Sequence, residues 1–407
     1  MTRRPHSWPL AASLAAAACA VFLTACGGGG GSHEGTTGGG PGTNKPVPVL
    51  KVFGDSLMDS GTFGFKVTVQ SSDKAHPFLL FPEIVAASLG ASTPCPFFNF
   101  GVTTFLPNLA CNNFAVAGGR INTRGDTNAA IDTTTPLNIL NQIAIGSTLL
   151  LPSDVVIVDG GANDIADLVA AYLGATTPDG VNTLTSKLAT VLPPATVAAL
   201  VGNAPTPSSL NAASTAYIQA VAQQLVNAVN DRILARGVRK VVVVNAVDIT
   251  TTPLFAGVMV AVGATQGSAQ RTAAQLVVQS WTAAFNTTLA RGLASNNVQM
   301  VDLNTQFTKF LTSSPAQYGL TNTTTPACPK VDGGLDKAGL PSLSQPATVL
   351  VCTASNMSAH IPVGETSANW WQSYAFADDF HPTPALHALI GNFIVQQLAR
   401  VGWVSSI

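Results

Sequence analysis

Five short runs of apolar, largely β-branched residues punctuate the chain, at Val47–Gly54, Asn113–Val116, Asp154–Gly160, Lys240–Val247 and Val298–Asp302. The third and fourth contain Val-Val-Ile-Val and Val-Val-Val-Val, with no polar position interrupting them. A strand with one wet face alternates apolar and polar residues. One buried on both faces reads as continuous, so these runs predict a parallel sheet covered by helices on both sides. Helices are predicted between them over Phe81–Leu89, Ile165–Leu173, Leu210–Ala235 and Arg271–Leu293. A last helix is predicted from Pro384 to Val401, with Thr383 as N-cap and Pro384 at the first helical position. Strands alternating with helices give a three-layer α/β domain, without internal repeat, over residues 49–407.

Two stretches break the alternation. Pro94–Leu109 and Gln306–Ala377 are rich in Pro, Thr, Asn and aromatic residues. Long loops in a compact domain are usually functional or disordered. Cysteines in each argue for order, and both stretches are expected to run over the carboxyl edge of the sheet, where open α/β folds bind ligands. Six cysteines occur. Cys19 and Cys26 lie near the N-terminus. The other four suit disulfides in an exported chain, and the local pairing Cys95–Cys111 and Cys328–Cys352 is preferred among the three connectivities. No C-x-x-C or paired His accompanies them, so no metal site is expected.

The N-terminus sets the compartment. Arg3, Arg4 and His6 precede an apolar run from Leu10 to about Leu23, the layout of a secretory signal and short for a membrane anchor. Leu23-Thr24-Ala25-Cys26 resembles a bacterial lipobox, which makes Cys26 the lipidated residue and residues 1–26 the leader; simple cleavage before a small residue is the alternative. Gly27 in the next position favours the outer membrane over retention, with periplasmic or secreted release as the other outcome. Residues 27–48 are Gly, Ser, Thr and Pro with few apolar side chains, a flexible tether. Any membrane contact is then expected through the lipid anchor only. With 46% hydrophobic and 10% charged residues the chain can bury a large core, and a formal charge of −1 argues against a nucleic-acid partner. A monomer is expected.

Chemistry concentrates at predicted strand ends. The first run ends in Phe53-Gly54-Asp55-Ser56-Leu57. A Ser between a parallel strand and a helix is exposed at the carboxyl edge and suits a nucleophile, although Asp55-Ser56 could equally cap the following helix. A base is offered by His381, in Asp378-Asp379-Phe380-His381-Pro382, where a carboxylate three residues earlier can hold the second ring nitrogen. His76 and His360 lie in loops without an adjacent acid, and His387 reads as a packing or surface residue. Asn113-Phe114-Ala115-Val116-Ala117-Gly118-Gly119 and Gly160-Gly161-Ala162-Asn163-Asp164 could supply donors to an oxyanion, although each taken alone reads equally as an ordinary strand-to-helix turn.

These four blocks, taken in order, resemble the GDSL/SGNH serine hydrolases, esterases and lipases. Phe53–Leu57 matches the G-D-S-L block, Gly118 falls at the oxyanion glycine of the second block, Gly160-Ala162-Asn163-Asp164 resembles G-x-N-D, and Asp378–Pro382 resembles D-x-x-H-P. The resemblance spans nearly the whole chain after the tether. It implies a flavodoxin-like, five-stranded parallel sheet and a triad of Ser56, His381 and Asp378. It also implies an oxyanion site formed by the N–H groups of Ser56 and Gly118 and the Asn163 amide, an acyl-enzyme, and neither metal nor organic cofactor. Asp164 is expected to hold its loop rather than to react.

The family cleaves many carboxylic esters. Trp370, Trp371, Tyr374 and Phe376, with Phe97, Phe98, Phe100 and Phe105, could line an apolar acyl groove or simply pack the core. The groove reading favours small-molecule or lipid esters, including phospholipids. A carbohydrate O-acetylesterase is the alternative, and a non-enzymatic surface lipoprotein a weaker one. No β-barrel pattern follows the last helix, so an autotransporter esterase is not expected.

Overall fold

The computed structural model describes residues 48–101, 103–124, 129–328 and 352–405. The leader, Cys26 and the tether up to residue 47 lie outside the described residues. In chain order the strands are β1 (Leu50–Phe53), β2 (Phe98–Phe100), β3 (Phe105–Pro107), β4 (Val155–Val158), β5 (Lys240–Val244) and β6 (Val298–Val301). Four of them form one sheet in the order β1-β4-β5-β6. All neighbours are parallel, with Leu50 opposite Val155, Val155 opposite Lys240 and Val241 opposite Val298. β2 and β3 make a separate antiparallel hairpin within the first proline-rich stretch.

The continuous apolar runs are buried on both faces, as their composition requires. Phe53, Val156, Val158, Val241 and Val243 face a cluster that includes Ile139, Ile165, Tyr217, Trp281 and Phe285, from helices Ile139–Gly146, Ala162–Gly174, Pro207–Ala228 and Ser268–Gly292. Leu50, Val52, Val155, Ile157, Val242 and Val244 face Phe81, Val85, Leu386, Ile390 and Ile394, from helices Phe81–Ser88 and Pro384–Arg400. A parallel sheet between two helical layers is the α/β fold expected.

Two expectations are corrected. The run Asn113–Val116 lies beside β1 but does not form a fifth strand. It donates from Phe114 N to Val52 O and from Val116 N to Gly54 O, at 2.8 and 3.2 Å, while Asn113 takes part only in isolated bridges. The Asn113 side chain explains this: its carbonyl accepts the Ala115 N–H at 2.9 Å and its amide donates to Met58 O at 2.6 Å. A residue that bonds its own backbone two positions on competes with a ladder. Nor does a helix follow Ser56. Met58 and Asp59 donate to Asp55 O, closing one turn, and the Asp59 carboxylate then accepts from Gly61 and Thr62.

Two disulfides join Cys95 to Cys111 and Cys328 to Cys352, with Cα–Cα distances of 5.0 and 5.3 Å. Each closes a loop of a size for which a cross-link removes about 3 kcal/mol of unfolded-chain freedom. The first steadies the approach to the hairpin. The second ties Cys328, whose N–H donates to Ala377 O, to Cys352, whose carbonyl accepts from Gln70 N. Trp370, Trp371 and Tyr374 pack around that disulfide and are buried, as is Phe376 in the sheet core. These four are core residues, not a groove wall.

One glycine tests the layer packing. Gly161 caps the helix Ala162–Gly174 at φ 104°, and a Cβ there would collide with the Phe285 ring. Left-handed strain and overpacking add, so Gly161→Ala is expected to lower unfolding free energy by about 2–4 kcal/mol. Denaturant melting checks it; an unchanged midpoint would contradict this packing.

Candidate active site

β1 delivers Ser56 through a turn held by side chains from two other elements. Gly54 N–H donates to Gln142 Oε1 and Gly54 O accepts from Gln142 Nε2, both at 2.9 Å. Asp55 N–H donates to Asp159 Oδ1 at 3.1 Å, and a Cβ at Gly54 would run into that same carboxylate. Position 54 is glycine because Asp159 must come this close. The Asp55 carboxylate accepts Leu57 N–H at 3.0 Å, which completes the turn. Asp59 Oδ2 reaches across to Ala117 N–H at 2.7 Å and so ties the nucleophile turn to the glycine loop. Ser56 is left only 5% exposed. Its N–H has no hydrogen-bond partner among the described residues.

Asp378 and His381 arrive on a tight loop between the second long excursion and the last helix. Ala377 N–H donates to His381 O and Thr383 N–H to Ala375 O, so the segment folds back on itself. Thr383 Oγ1 donates to Tyr374 O, and Thr68 Oγ1 donates to Pro382 O. Asp378 sits inside this loop. Its Oδ1 accepts from Phe380 N and His381 N, at 2.8 and 2.6 Å, and its carboxylate faces His381 Nδ1 at 2.8 and 3.0 Å. The other ring nitrogen, Nε2, lies 2.9 Å from Ser56 Oγ. With Nδ1–H on the carboxylate, the Nε2 lone pair faces the hydroxyl proton. Asp379 instead offers its carbonyl to Leu254 N–H. Phe380 meets the His381 ring edge to face at 5.5 Å.

Protonation preferences fit a base poised by its neighbours. Burial disfavours the charged form of His381. The Asp378 carboxylate outweighs it, with a smaller push from Asp55, and holds the imidazole above its ordinary value of 6.5. Burial would likewise raise Asp378, but His381 and the N–H groups of the loop outweigh it and hold the carboxyl below the usual range. Burial and then the Asp55 charge push Asp159 well up. Burial lifts Asp164 to about 6, although it accepts Ile121 N–H and Asn122 N–H at 3.0 and 2.8 Å. Both of its oxygens are thus engaged by backbone N–H groups just after the glycine loop.

The glycine loop distinguishes its two candidates. Gly119 N–H donates to Val116 O, and a Cβ at Gly119 would lie 2.7 Å from Gly54 O and 3.2 Å from Asp55 Cα. Gly119 is a packing glycine against the nucleophile turn. Gly118, at φ 80°, has an N–H with no hydrogen-bond partner among the described residues. Asn163 Nδ2 donates to Gly119 O at 3.0 Å, so the amide stands beside this loop with its second N–H still to place. The structure thus brings Ser56, His381 and Asp378 into one row, and sets Gly118 on the glycine loop with the Asn163 amide, from the helix Ala162–Gly174, beside it. Gln142, Asp159 and Arg120 carry no motif in the sequence, since their partners are set by contacts across the fold. His76 does have an acid neighbour, Asp73 at 2.7 Å, but the two side chains are 84% and 60% exposed. His387 is buried in the last helix, stacked on Phe81, with neither ring nitrogen hydrogen-bonded.

Two pH dependences follow. A reaction that needs neutral His381 gains kcat/KM as pH rises, with a midpoint above 6.5. Asp378→Asn should move that midpoint down and cut the rate roughly 10²–10⁴-fold; a pH–rate profile with an unmoved midpoint would remove Asp378 from the pair. Burial, with the charges of His381 and Lys66, pushes His387 down to about 3. Its folded value lies below its unfolded one, so its contribution is complete above pH 6.5 and is lost progressively as pH falls towards 3. His387→Leu should therefore flatten the acid side of the stability curve, measured as denaturant midpoint against pH. A parallel curve would refute it.

No curated protein matches the chain. Residues 50–394 match the GDSL-like Lipase/Acylhydrolase family, a span that begins at β1 and ends within the last helix, enclosing the nucleophile turn, the glycine loop, Asn163 and the acid–base loop. The chain belongs to the GDSL-like lipase/acylhydrolase family and is an ester hydrolase.

Proposed function

We propose that the chain is an exported serine carboxylic-ester hydrolase that works through an acyl-enzyme on Ser56. One observation carries the reading: the hydrogen-bonded row from Asp378 through His381 to Ser56 Oγ. His381 Nε2 takes the Ser56 proton as Oγ bonds to the ester carbonyl carbon. The oxyanion is held by Ser56 N–H, Gly118 N–H and the Asn163 amide, donors fixed before substrate arrives. The intermediate collapses, His381 returns the proton to the departing alkoxide, and the alcohol leaves. Water then attacks the acyl carbon, giving its proton to His381, and the acid is released with Ser56 reprotonated.

Small-molecule or lipid esters with apolar acyl groups are the proposed substrates. Phe380 beside His381 and the Phe63, Phe100 and Phe105 rings on and beside the hairpin support this; Phe100 is 40% exposed. The four aromatic residues before the triad loop lend it no support, since they are core. For location, we propose a leader ending at Cys26, a lipid anchor there and a tether over residues 27–48. The two disulfides are in keeping with an oxidising compartment, and among the described residues no helix is long and apolar enough to cross a membrane.

The test is hydrolysis of p-nitrophenyl esters of increasing chain length, with acetyl-xylan as the carbohydrate alternative. Ser56→Ala should abolish turnover in a folded protein, and comparable hydrolysis by it would sink the assignment. Asn163→Ala should lower kcat by roughly 10²–10³; an unchanged kcat would remove its amide from the oxyanion site. Cleavage of acetyl-xylan with no activity on longer acyl esters would transfer the assignment to a carbohydrate esterase.

A further inference from the structure

Around the glycine loop the polar groups of the backbone are secured one by one, chiefly from the helix Ala162–Gly174. Asn163 holds Gly119 O, and Asp164 holds Ile121 N–H and Asn122 N–H. Asp167, one turn further on, accepts from Arg120 Nε at 2.8 Å and Nη2 at 3.2 Å, a fork with side chains 11% and 10% exposed. The third guanidinium nitrogen, Nη1, turns back two residues and donates to Gly118 O at 2.5 Å. Gly118 has no side chain and sits at positive φ, so nothing of its own fixes its peptide planes.

We infer that Arg120 is a positioning residue for the oxyanion site: braced on Asp167, it holds the Gly118 carbonyl and thereby the direction of the neighbouring Gly118 N–H. The inference rests on the ester-hydrolase mechanism above, in which that N–H receives the developing charge. With Gly118 O, Gly119 N–H and Gly119 O all engaged, Gly118 N–H is the remaining polar group of the Gly-Gly pair, without a partner among the described residues. A donor pays off in the transition state only if its direction is set beforehand. The geometry also explains the residue type. A guanidinium can grip a carboxylate with two nitrogens and a carbonyl with the third, whereas a lysine ammonium is a single point on a flexible stem.

An ordinary structural ion pair is the competing account, and the neighbourhood lets the two be separated. Lys187 Nζ lies 3.8 Å from Asp167, so removal of Arg120 does not leave that carboxylate alone. Lys187 also donates to Thr123 O and Arg124 O, which anchors the far end of the loop independently. The protein is therefore expected to stay folded while the Gly118 peptide loses its brace.

The experiment compares wild type, Arg120→Met, Arg120→Lys and Asn163→Ala, and the Arg120→Met/Asn163→Ala double variant, on one p-nitrophenyl ester. Arg120→Met should lower kcat roughly 10–100-fold, less than loss of a whole oxyanion donor, with KM changed less than about threefold. The midpoint of the kcat/KM pH profile, which reports His381, should not move. Arg120→Lys should not restore the rate, and it serves alone if Arg120→Met does not fold. The double variant should lose less than the product of the two single losses, because both act on one site. A folded Arg120→Met or Arg120→Lys variant with kcat within twofold of wild type overturns the inference, as do losses that multiply in full. If wild type cleaves no ester, the mechanism itself has failed; if Ser56-dependent turnover survives unchanged without Arg120, only this inference has.

Discussion

The contact between His381 Nε2 and Ser56 Oγ joins residues 325 positions apart, and at 2.9 Å it allows little error in either loop. Much of the architecture can be understood as the means of holding those two loops. β1 is the edge strand of the four-stranded sheet and presents Ser56 at its carboxyl end, where the Gly54 turn is fixed by Gln142 from one helix and Asp159 from the end of β4. The opposing loop hangs between the last helix and a segment stitched to the Cys328–Cys352 disulfide. Helices Phe81–Ser88 and Pro384–Arg400 pack on the same sheet face as each other, which brings the end of the chain back to its beginning.

Charge at the site is sparse but placed. The chain is 10% charged, yet carboxylates recur at the ends of the elements that meet here: Asp55, Asp59, Asp159, Asp164, Asp167 and Asp378. Most of them work as hydrogen-bond acceptors for backbone N–H groups, a use that fixes turns without needing a cationic partner. Asp378 combines that role with the imidazole, and Asp167 combines two cations. The effect is a site whose backbone donors are oriented by buried carboxylates rather than by surface ion pairs, which contribute little in water.

Most of the layer architecture was legible because buried strands announce themselves. Val-Val-Ile-Val and Val-Val-Val-Val fall in β4 and β5. The run at Asn113 was misread because its apolar residues matched a strand while one polar side chain diverted the backbone. Several helices went unread although their starts were written plainly. Thr177-Pro178 and Thr252-Pro253 each begin a helix with the threonine hydroxyl as cap, the same Thr-Pro signal recognised at Thr383-Pro384. Pro178–Leu188 is short and has only Val181, Leu184 and Leu188 as large apolar residues, and Pro253–Gln266 is apolar on nearly every side, so neither stood out from the sequence around it. At the site, sequence spacing sufficed for Asp378 and His381, which are neighbours in the chain. It could not reveal Gln142, Asp159 or Arg120, whose partners are set by how the helices return to the sheet edge. The aromatic residues before the triad loop suggested a groove only because burial cannot be read from residue type.

Activation of Ser56 by His381 in the folded protein is the step on which the proposed chemistry depends. The most direct measurement is labelling of the purified domain with a fluorophosphonate, followed by peptide mapping. One covalent adduct is expected, on Ser56, and it should disappear in folded His381→Ala. No adduct in folded, disulfide-bonded protein, or an adduct that persists without His381, would contradict that activation.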